Sequence, residues 1–191
     1  MRTFILYSRK ARTDHKFKIE KLIEAGRMDL VCRCITSALW LSHKARDDTN
    51  FFVVLNGPPN PPVTIWFDGS KLIKVYVDEK TNARWIKKLL SLKFGKNWLE
   101  VEGTKISKKS LQDLVKELDG NIYVLHEKGK PIQDIEIREN PIFIMGDQIG
   151  LPDKDEKFAL RNGEKISLGK NVYLVSSCIS ALNWICDQRG I

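Results

Sequence analysis

Four apolar runs of strand length constrain the fold of this chain more than any other feature. They are Thr3–Tyr7, Phe51–Leu55, Ile122–Leu125 and Ile142–Met145. A strand with one face in water alternates apolar and polar residues, whereas a nearly continuous apolar run is typical of a strand covered on both faces. Amphipathic helical patterns separate the runs. The sequence therefore predicts an α/β fold, with a mostly parallel sheet flanked by helices.

Helices are predicted where apolar residues recur at steps of three and four. The predicted helices cover residues 27–44, Thr81 to Gly95, Ser107 to Gly120, and 172–186. Asp29 lies in the first turn of the first helix, where its charge favours the helix dipole, and Arg33 follows one turn later. From the pattern alone, Asp29 is either a helix cap paired with Arg33 or a functional carboxylate.

A β-hairpin is predicted beside this sheet. The runs Val63–Phe67 and Lys71–Val77 flank Asp68-Gly69, which is a strong signal for a hairpin turn. At 191 residues the chain suits one domain. We therefore expect a single domain over residues 1–191 with a hairpin insertion at about 61–78.

The charge of the chain favours an anionic partner. The formal net charge is +8, and the loop SRKARTDHKFK after the first apolar run holds five basic residues. Such a loop is either a solvated segment or an arm that contacts phosphates, and RNA is the first candidate partner. A surface rich in Lys and Glu also occurs in proteins from high-temperature organisms. No apolar run reaches the length of a membrane span and no signal peptide is recognisable, so we expect a cytoplasmic protein without a membrane partner.

The cysteines and histidines do not predict a metal site. The four cysteines have no CxxC spacing, no histidine lies near them, and the three histidines are scattered. In the cytosol the cysteines are expected to be reduced. On its pattern Cys178 is a small core residue of the last helix.

Glycines follow the last apolar run. Gly146 and Gly150 come directly after Ile142–Met145, and Gly169 lies in the loop before the last helix. Glycine lets backbone groups approach a ligand closely, which suggests a cradle for a cofactor. Glycines at strand ends are also common in ordinary turns. The pattern leaves both interpretations open.

Three blocks of sequence taken together indicate a family. GRMDLVCRCITSALWLSH, IFIMGDQIGLP and KISLGKNVYLVSSCISALNW resemble the archaeal tRNA pseudouridine N1-methyltransferases, within the SPOUT superfamily of knotted methyltransferases. The resemblance spans essentially the whole chain. It implies an α/β fold with a C-terminal trefoil knot, a homodimer, and S-adenosylmethionine as the methyl donor.

The resemblance also implies which residues hold the cofactor. Leu125 would end a strand beside it, and Leu174 and Cys178 would close the pocket. The first cofactor loop would contain Gly146, Gln148, Gly150 and Leu151. The second would be Ile166–Lys170, with backbone contacts from Leu168 and Gly169 to the adenine.

The substrate implied by the resemblance is the pseudouridine at position 54 in the T-loop of tRNA. Arg27-Met28-Asp29 resembles an Arg-Pro-Asp in related ribosomal RNA pseudouridine N1-methyltransferases, with Met28 in place of the proline. Because N1 carries a proton, Asp29 is the best candidate to orient the base and take that proton. Arg27 and Arg33 would hold phosphate or base carbonyl oxygens, and no metal is required. The alternatives are a SPOUT methyltransferase acting on another RNA base or ribose, and a non-enzymatic basic RNA-binding protein.

Overall fold

The computed structural model describes residues 1–73 and 76–191 as an α/β protein. Within these ranges the strands are β1 (Arg2–Ser8), β2 (Thr49–Leu55), β3 (Val63–Asp68), β4 (Leu99–Val101), β5 (Thr104–Ser107), β6 (Asn121–Pro131), β7 (Pro141–Gly146) and β8 (Gly163–Ser167). The α-helices are α1 (Met28–Leu39), α2 (Glu79–Leu90), α3 (Leu111–Glu117), α4 (Asp153–Ala159) and α5 (Val175–Arg189). Short 3-10 turns occur at Ile19–Lys21 and Ile132–Asp134.

The strands form one sheet in the order β4-β5-β3-β2-β1-β7-β6-β8. The five strands from β2 to β8 in that order are parallel to one another. β3, β5 and β4 extend this sheet in antiparallel pairs. The predicted α/β fold with a mostly parallel sheet is therefore confirmed.

Continuous apolar strands are covered on both faces, as their sequence requires. In β1, Phe4 and Leu6 pack with the α1, α2 and α5 side chains, while Ile5 packs with those of α3 and α4. All three side chains are fully buried. Burying each contributes about 1.5–3 kcal/mol relative to exposure. The central position of β1 follows from this need for cover on two sides.

The predicted hairpin is wrong in its second strand. β3 pairs with β2 on one edge and with β5 on the other, and a strand has only these two edges. Residues 71–73, 76 and 77 are turn or irregular, and residues 74–75 lie outside the described ranges. The hairpin in this region is instead β4–β5, where Glu102 and Gly103 both have positive φ, as a tight two-residue turn requires.

Two predicted helix starts are also corrected. α2 begins at Glu79, because Asp78 accepts a hydrogen bond of 2.9 Å from the backbone N–H of Thr81 and is the cap that Thr81 was expected to be. α3 begins at Leu111, where Ser110 and Asp113 form a reciprocal capping box. Ser107, the expected start, ends β5 instead. The helix α4 and the strand β8 were not predicted, since both are short and largely polar.

Helix α5 is fixed beside α1 with the same direction. The Asn183 side chain donates to the carbonyls of Ser37 (3.0 Å) and Ala38 (3.1 Å), at the end of α1. The buried guanidinium of Arg2 donates to the Asn183 carbonyl at 3.0 Å and to Asp187 at 2.7 Å. Both helices therefore start at the sheet edge where the parallel strands end. None of the helices in the described ranges is long and apolar enough to cross a bilayer.

Candidate active site

The middle of β6 lies between β7 and β8, whose following loops were predicted to hold a cofactor. Leu125 does not end this strand as predicted, because β6 resumes its pairing with β8 at Lys130 after a register shift and continues to Pro131. Leu125 pairs with Ile166 of β8, and the preceding residue of β6 pairs with Ile144 of β7. Neighbouring strands lie about 4.8 Å apart, so the loops after β7 and β8 start roughly 10 Å from each other. The topology thus brings the two loops to one edge, on either side of Leu125.

The first loop, residues 146–152, is tightly folded on itself. A Cβ at Gly146 would lie 2.3 Å from the carbonyl carbon of Gly150 and 2.5 Å from the backbone nitrogen of Leu151. Such distances exclude any side chain at position 146 unless the backbone moves. Glycine is required at this position for packing within the loop.

Asp147 and Arg9 hold this loop against the end of β1. The buried Asp147 carboxylate accepts from the backbone N–H of Arg9 at 2.7 Å and of Ile149 at 2.9 Å. Its own N–H donates to the carbonyl of Tyr7 at 3.0 Å, and Arg9 Nε donates to the Gly150 carbonyl at 2.8 Å. Sequence reasoning missed both roles. An acidic residue directly after a strand-ending glycine was the only available signal.

The second loop is ordered by a side chain that was also missed. Ser167 Oγ accepts from the N–H of Gly169 and donates to its carbonyl, each at 3.1 Å. Ile166 is fully buried against the continuation of β6. A Cβ at Gly129 would meet the Ile166 carbonyl carbon at 2.2 Å. The loop therefore leaves the sheet from a fixed position.

Both loops present backbone to open space, as a cofactor cradle requires. Gly150 and Gly169 have φ of +81° and +126°, and a Cβ built on either would meet nothing within 4 Å. Backbone N–H and C=O groups at these positions can approach a ligand without a side chain between them. The two loops that were predicted to hold a cofactor therefore have the open backbone that close approach of a ligand requires.

The other predicted cofactor residues differ in their exposure. Leu125, Leu151 and Leu168 are half-buried, and Gln148 is exposed. Leu174 is 67% exposed, so within this chain it does not line a closed pocket. Cys178 is buried on α5, where burial raises the pKa of its thiol. It therefore stays protonated at neutral pH and is a packing group rather than a nucleophile.

Asp29 lies at the centre of a charged cluster at the start of α1. Arg27 donates to both of its oxygens, through Nε at 3.0 Å and through a terminal nitrogen at 3.1 Å. Arg33 donates to Oδ2 at 2.9 Å and reaches Glu79 at 3.3 Å. The ion pair with Arg33 was predicted, whereas the helix N-terminus has no side-chain cap. Asp29 organises both arginines, and the structure brings together all three residues that were predicted for the substrate.

The residue between Arg27 and Asp29 has its own role. The N–H of the buried Met28 donates to the carbonyl of Leu22 at 3.0 Å. Proline lacks this donor, so the local backbone is held here by a bond that the Arg-Pro-Asp sequence could not form. Arg27 itself adopts a left-handed conformation, with φ of 68°.

Asp29 is ionised at neutral pH. Burial by itself would raise the pKa of this carboxyl, but the hydrogen bonds from Arg27 and Arg33 outweigh burial and lower it. An ionised carboxylate has about four acceptor positions, of which the arginines use three. Among the residues that the structure describes, one acceptor position on Oδ1 has no donor. A lowered pKa also makes Asp29 a weak base and a good anchor for a donor group.

The charged cluster and the first loop belong to the same edge. The negative charge of Asp147 contributes to raising the pKa of Arg27, after the larger effect of the Asp29 hydrogen bonds. The loop after β1 contacts both features: the Arg9 N–H donates to Asp147 at 2.7 Å, and a Cβ at Gly26, next to Arg27, would lie 1.7 Å from the Lys10 carbonyl oxygen. The first glycine loop and the start of α1 therefore lie on either side of the loop after β1.

The basic loop after β1 is largely built into the protein. Ala11, Thr13 and Phe17 are buried, and Arg12 is paired with Asp14 at 2.8 Å. A Cβ at Gly26 would lie 1.7 Å from the carbonyl oxygen of residue 10, so the loop packs directly on the turn before α1. Its cations are held at the same edge as the Asp29 cluster.

Comparison with known proteins identifies the family of this chain. Residues 1–191 match the family described as "Putative SAM-dependent RNA methyltransferase". The tRNA (pseudouridine(54)-N(1))-methyltransferase of Methanocella arvoryzae is 37% identical, over 99% of this chain and 100% of the relative. The protein of the same name from Thermococcus kodakarensis is 40% identical, over 97% of this chain and 98% of the relative.

A solved structure shows the same fold. Nep1 of Archaeoglobus fulgidus, crystallised with S-adenosylhomocysteine, superposes with a TM-score of 0.64 at 14% identity. The match covers 96% of this chain and 94% of Nep1. With a family match over residues 1–191 and relatives of 37% and 40% identity that are covered over nearly their whole length, this chain belongs to the SAM-dependent RNA methyltransferase family.

Proposed function

We propose that this protein transfers a methyl group from S-adenosylmethionine to N1 of pseudouridine 54 in the T-loop of tRNA. The observation that carries the proposal is the joining, at one sheet edge, of two backbone-lined loops and an arginine-bound carboxylate. The archaeal relatives that match over their whole length bear the name of this activity.

The residues around Asp29 suit the chemistry of N1. When bound, the cofactor would supply an electrophilic methyl group: the N1–C bond forms as the methyl–sulfur bond breaks, its electron pair stays on sulfur in S-adenosylhomocysteine, and the proton leaves N1. The remaining acceptor position of Asp29 can take a hydrogen bond from N1–H, which orients the nitrogen. Its carboxylate then draws off the proton as positive charge develops, and passes it to water. Arg27 and Arg33 would hold a carbonyl oxygen of the base or a nearby phosphate.

A stacked T-loop base has to leave its stack before N1 can reach the methyl group. Enzymes that modify bases commonly extrude the target nucleotide at a cost of a few kcal/mol. The exposed lysines of the basic loop would contact phosphates beside the extruded base.

The function is tested by incubating the protein with pseudouridine-containing tRNA and S-adenosylmethionine, followed by mass spectrometry of the nucleosides. We expect N1-methylpseudouridine, and only when position 54 is pseudouridine. A methylated ribose or a different methylated base would support the SPOUT alternative. Failure to bind S-adenosylhomocysteine in calorimetry would support a non-enzymatic RNA-binding protein.

We also propose that residues 1–191 form one SPOUT domain whose C-terminal segment passes through a trefoil knot. Supporting this, Arg189 near the end of α5 donates to the carbonyls of Ile135 (2.8 Å) and Ile132 (3.2 Å), in the connection from β6 to β7. The last helix thus lies against the loop that a knotted chain would have to pass. If the C-terminal segment has to thread through a loop during folding, a stably folded domain fused to the C-terminus should slow refolding strongly.

A homodimer is proposed from the exposed surface of α5 and the segment before it. Val172, Tyr173, Leu174 and Trp184 are between 52% and 79% exposed. Ser177, Ser180 and Ala181 on the same helix are small and would let a second helix approach closely. An apolar surface of this kind is typical of an interface, and the site residue Leu174 would then be covered by a second copy. Sedimentation should give a dimer for the wild type and a monomer for Trp184→Glu.

The proposed place of action is the cytoplasm, where tRNA is modified. No separate metal is included in the proposal, because Arg27 and Arg33 can supply the positive charge that binds a carbonyl oxygen of the base or a nearby phosphate.

A further inference from the structure

The sheet edge that holds the Asp29 cluster continues past β1 and β2 to the end of β5. The loop after β1 donates from the N–H of Thr13 to the carbonyl of Pro58 at 3.0 Å. The loop after β2 donates back from the N–H of Asn60 to Thr13 Oγ1 at 2.8 Å. Lys108, just after β5, donates through Nζ to the Asn60 carbonyl and through its N–H to the Gly95 carbonyl. Four loops therefore form one continuous surface.

Five lysines on this surface are exposed and have no ion-pair partner among residues 1–73 and 76–191. We call them the lysine edge: Lys10, Lys16, Lys18, Lys93 and Lys96. Two carboxylates near them are already engaged by other groups. Asp14 is paired with Arg12, and Asp113 accepts from the Ser110 N–H and hydroxyl, each at 2.8 Å.

The basic side of α2 differs from the lysine edge. Lys87 donates to the carbonyl of Phe17 at 2.7 Å, and Lys88 lies 3.5 Å from Glu102. These two cations have protein partners and help to hold α2 in place. Beside the lysine edge, the cations available to an external anion are therefore those of the loops, whereas the exposed Lys80 and Arg84 lie in the first turns of α2.

The length of the edge suits a strand of RNA. β1 and β5 are separated by three strand spacings, which is about 14 Å. A stacked nucleic-acid strand advances about 3.4 Å per nucleotide, so this distance corresponds to roughly four nucleotides. Exposed lysine ammonium groups are suited to contacts with phosphates, and such contacts do not depend on the base sequence.

We propose that the lysine edge binds the RNA backbone next to the methylated loop, with Lys93 and Lys96 contacting phosphates about four nucleotides from the target. This inference rests on the proposed function, because it takes the tRNA to be bound at the Asp29 cluster. It assigns the tRNA-binding energy to the β3–β5 side of the sheet, remote from the cofactor loops.

The test compares two double variants that remove the same charge. Lys93→Gln with Lys96→Gln removes two cations of the lysine edge. Lys44→Gln with Lys71→Gln removes two exposed cations at the opposite sheet edge, where Lys44 lies 3.9 Å from the exposed Asp47 and the buried Asp68 keeps its hydrogen bonds from Ser70 after Lys71 is replaced. Filter binding measures the Kd for tRNA from 0.05 to 0.5 M salt, and single-turnover methylation is measured at saturating tRNA.

We expect the Lys93/Lys96 variant to lower the slope of log K against log salt by about 1.4–1.8, which is 0.7–0.9 per lost phosphate contact. Its Kd in about 0.1 M salt should rise at least tenfold by the same relation. Methylation at saturating tRNA should remain within about twofold of the wild type, since no site group is touched. The Lys44/Lys71 variant should keep the wild-type slope.

The outcomes separate this inference from the proposed function. Equal slopes and affinities for the two double variants would overturn the lysine edge while leaving the methyltransferase proposal intact. A wild-type protein that methylates no tRNA would instead overturn the proposed function. A Lys93/Lys96 variant that binds normally but methylates slowly at saturation would also contradict the inference, because the lysines would then act at the site.

Discussion

Asp147 is expected to control cofactor affinity by fixing the first glycine loop. Replacing it with alanine removes the acceptor of two backbone N–H groups, at Arg9 and Ile149. Each buried donor without an acceptor costs about 1–3 kcal/mol, so the sum is about 2–6 kcal/mol. Arg9 is half-buried and Ile149 is 43% exposed, so water can replace part of the lost hydrogen bonding and the lower end of this range applies.

Because the lost bonds lie within the loop, the cost should appear in ligand binding. A change of about 2 kcal/mol corresponds to a roughly thirty-fold increase in Kd. We expect Asp147→Ala to bind S-adenosylhomocysteine about thirty-fold more weakly in calorimetry. Asp147→Asn keeps one acceptor oxygen and should fall between alanine and the wild type.

Asp119→Ala is the matched control, since Asp119 is an exposed carboxylate at the end of α3. Urea unfolding of each variant shows how much of the cost falls on the whole fold. Wild-type affinity in Asp147→Ala would refute the reasoning, whatever the change in global stability, because the loop would then keep its shape without the carboxylate.

Three further predictions concern the site and the C-terminal helix. Gly146→Ala should weaken S-adenosylhomocysteine binding about 5- to 150-fold, because the new Cβ would lie 2.3 Å from a backbone atom and overpacking costs about 1–3 kcal/mol. Gly95→Ala is the control and should bind normally, since its Cβ would meet nothing within 4 Å. Asp29→Asn should lower turnover at least about 100-fold with cofactor affinity nearly unchanged, and wild-type turnover in a methyl-transfer assay would remove Asp29 from the reaction. The pKa of the Asp187 carboxyl is lowered chiefly by hydrogen bonds from Arg46. The ionised carboxylate therefore stabilises the folded protein above the unfolded pKa of about 3.9, and this stabilisation is lost as the pH falls through the lower folded pKa. Urea unfolding should therefore show Asp187→Asn less stable than the wild type at pH 7, with a gap that narrows towards pH 3; a gap independent of pH would contradict this.

Local patterns predicted the elements whose burial is uniform along the chain. The apolar run Phe51–Leu55 lies within β2 and Ile142–Met145 within β7. A continuous apolar run of this length is typical of a strand that is covered on both faces. The partner of β3 was predicted wrongly. A turn signal at Asp68-Gly69 is local, whereas the β5 strand that occupies that edge begins 36 residues after β3 ends.

The residues of the candidate site could be named from the sequence, but the contacts between them could not. The glycine loops and the Arg27, Asp29 and Arg33 set could be named from resemblance and spacing. That Arg27 and Arg33 bind the same carboxylate from two sides depends on the left-handed backbone at Arg27, which its sequence does not reveal. The backbone dihedral angles of Arg27 direct its guanidinium towards the Asp29 carboxylate.

The sequence by itself determined the alternation of strands and helices, the basic character and the family of this protein. Burial periodicity and residue type are local quantities, and a chain carries them before it folds. Tertiary structure alone decided that Arg9 and Asp147, 138 residues apart, lock one cofactor loop, and that lysines from separate loops share an edge. These contacts depend on which strands become neighbours, and that choice is made by the packing of the whole sheet.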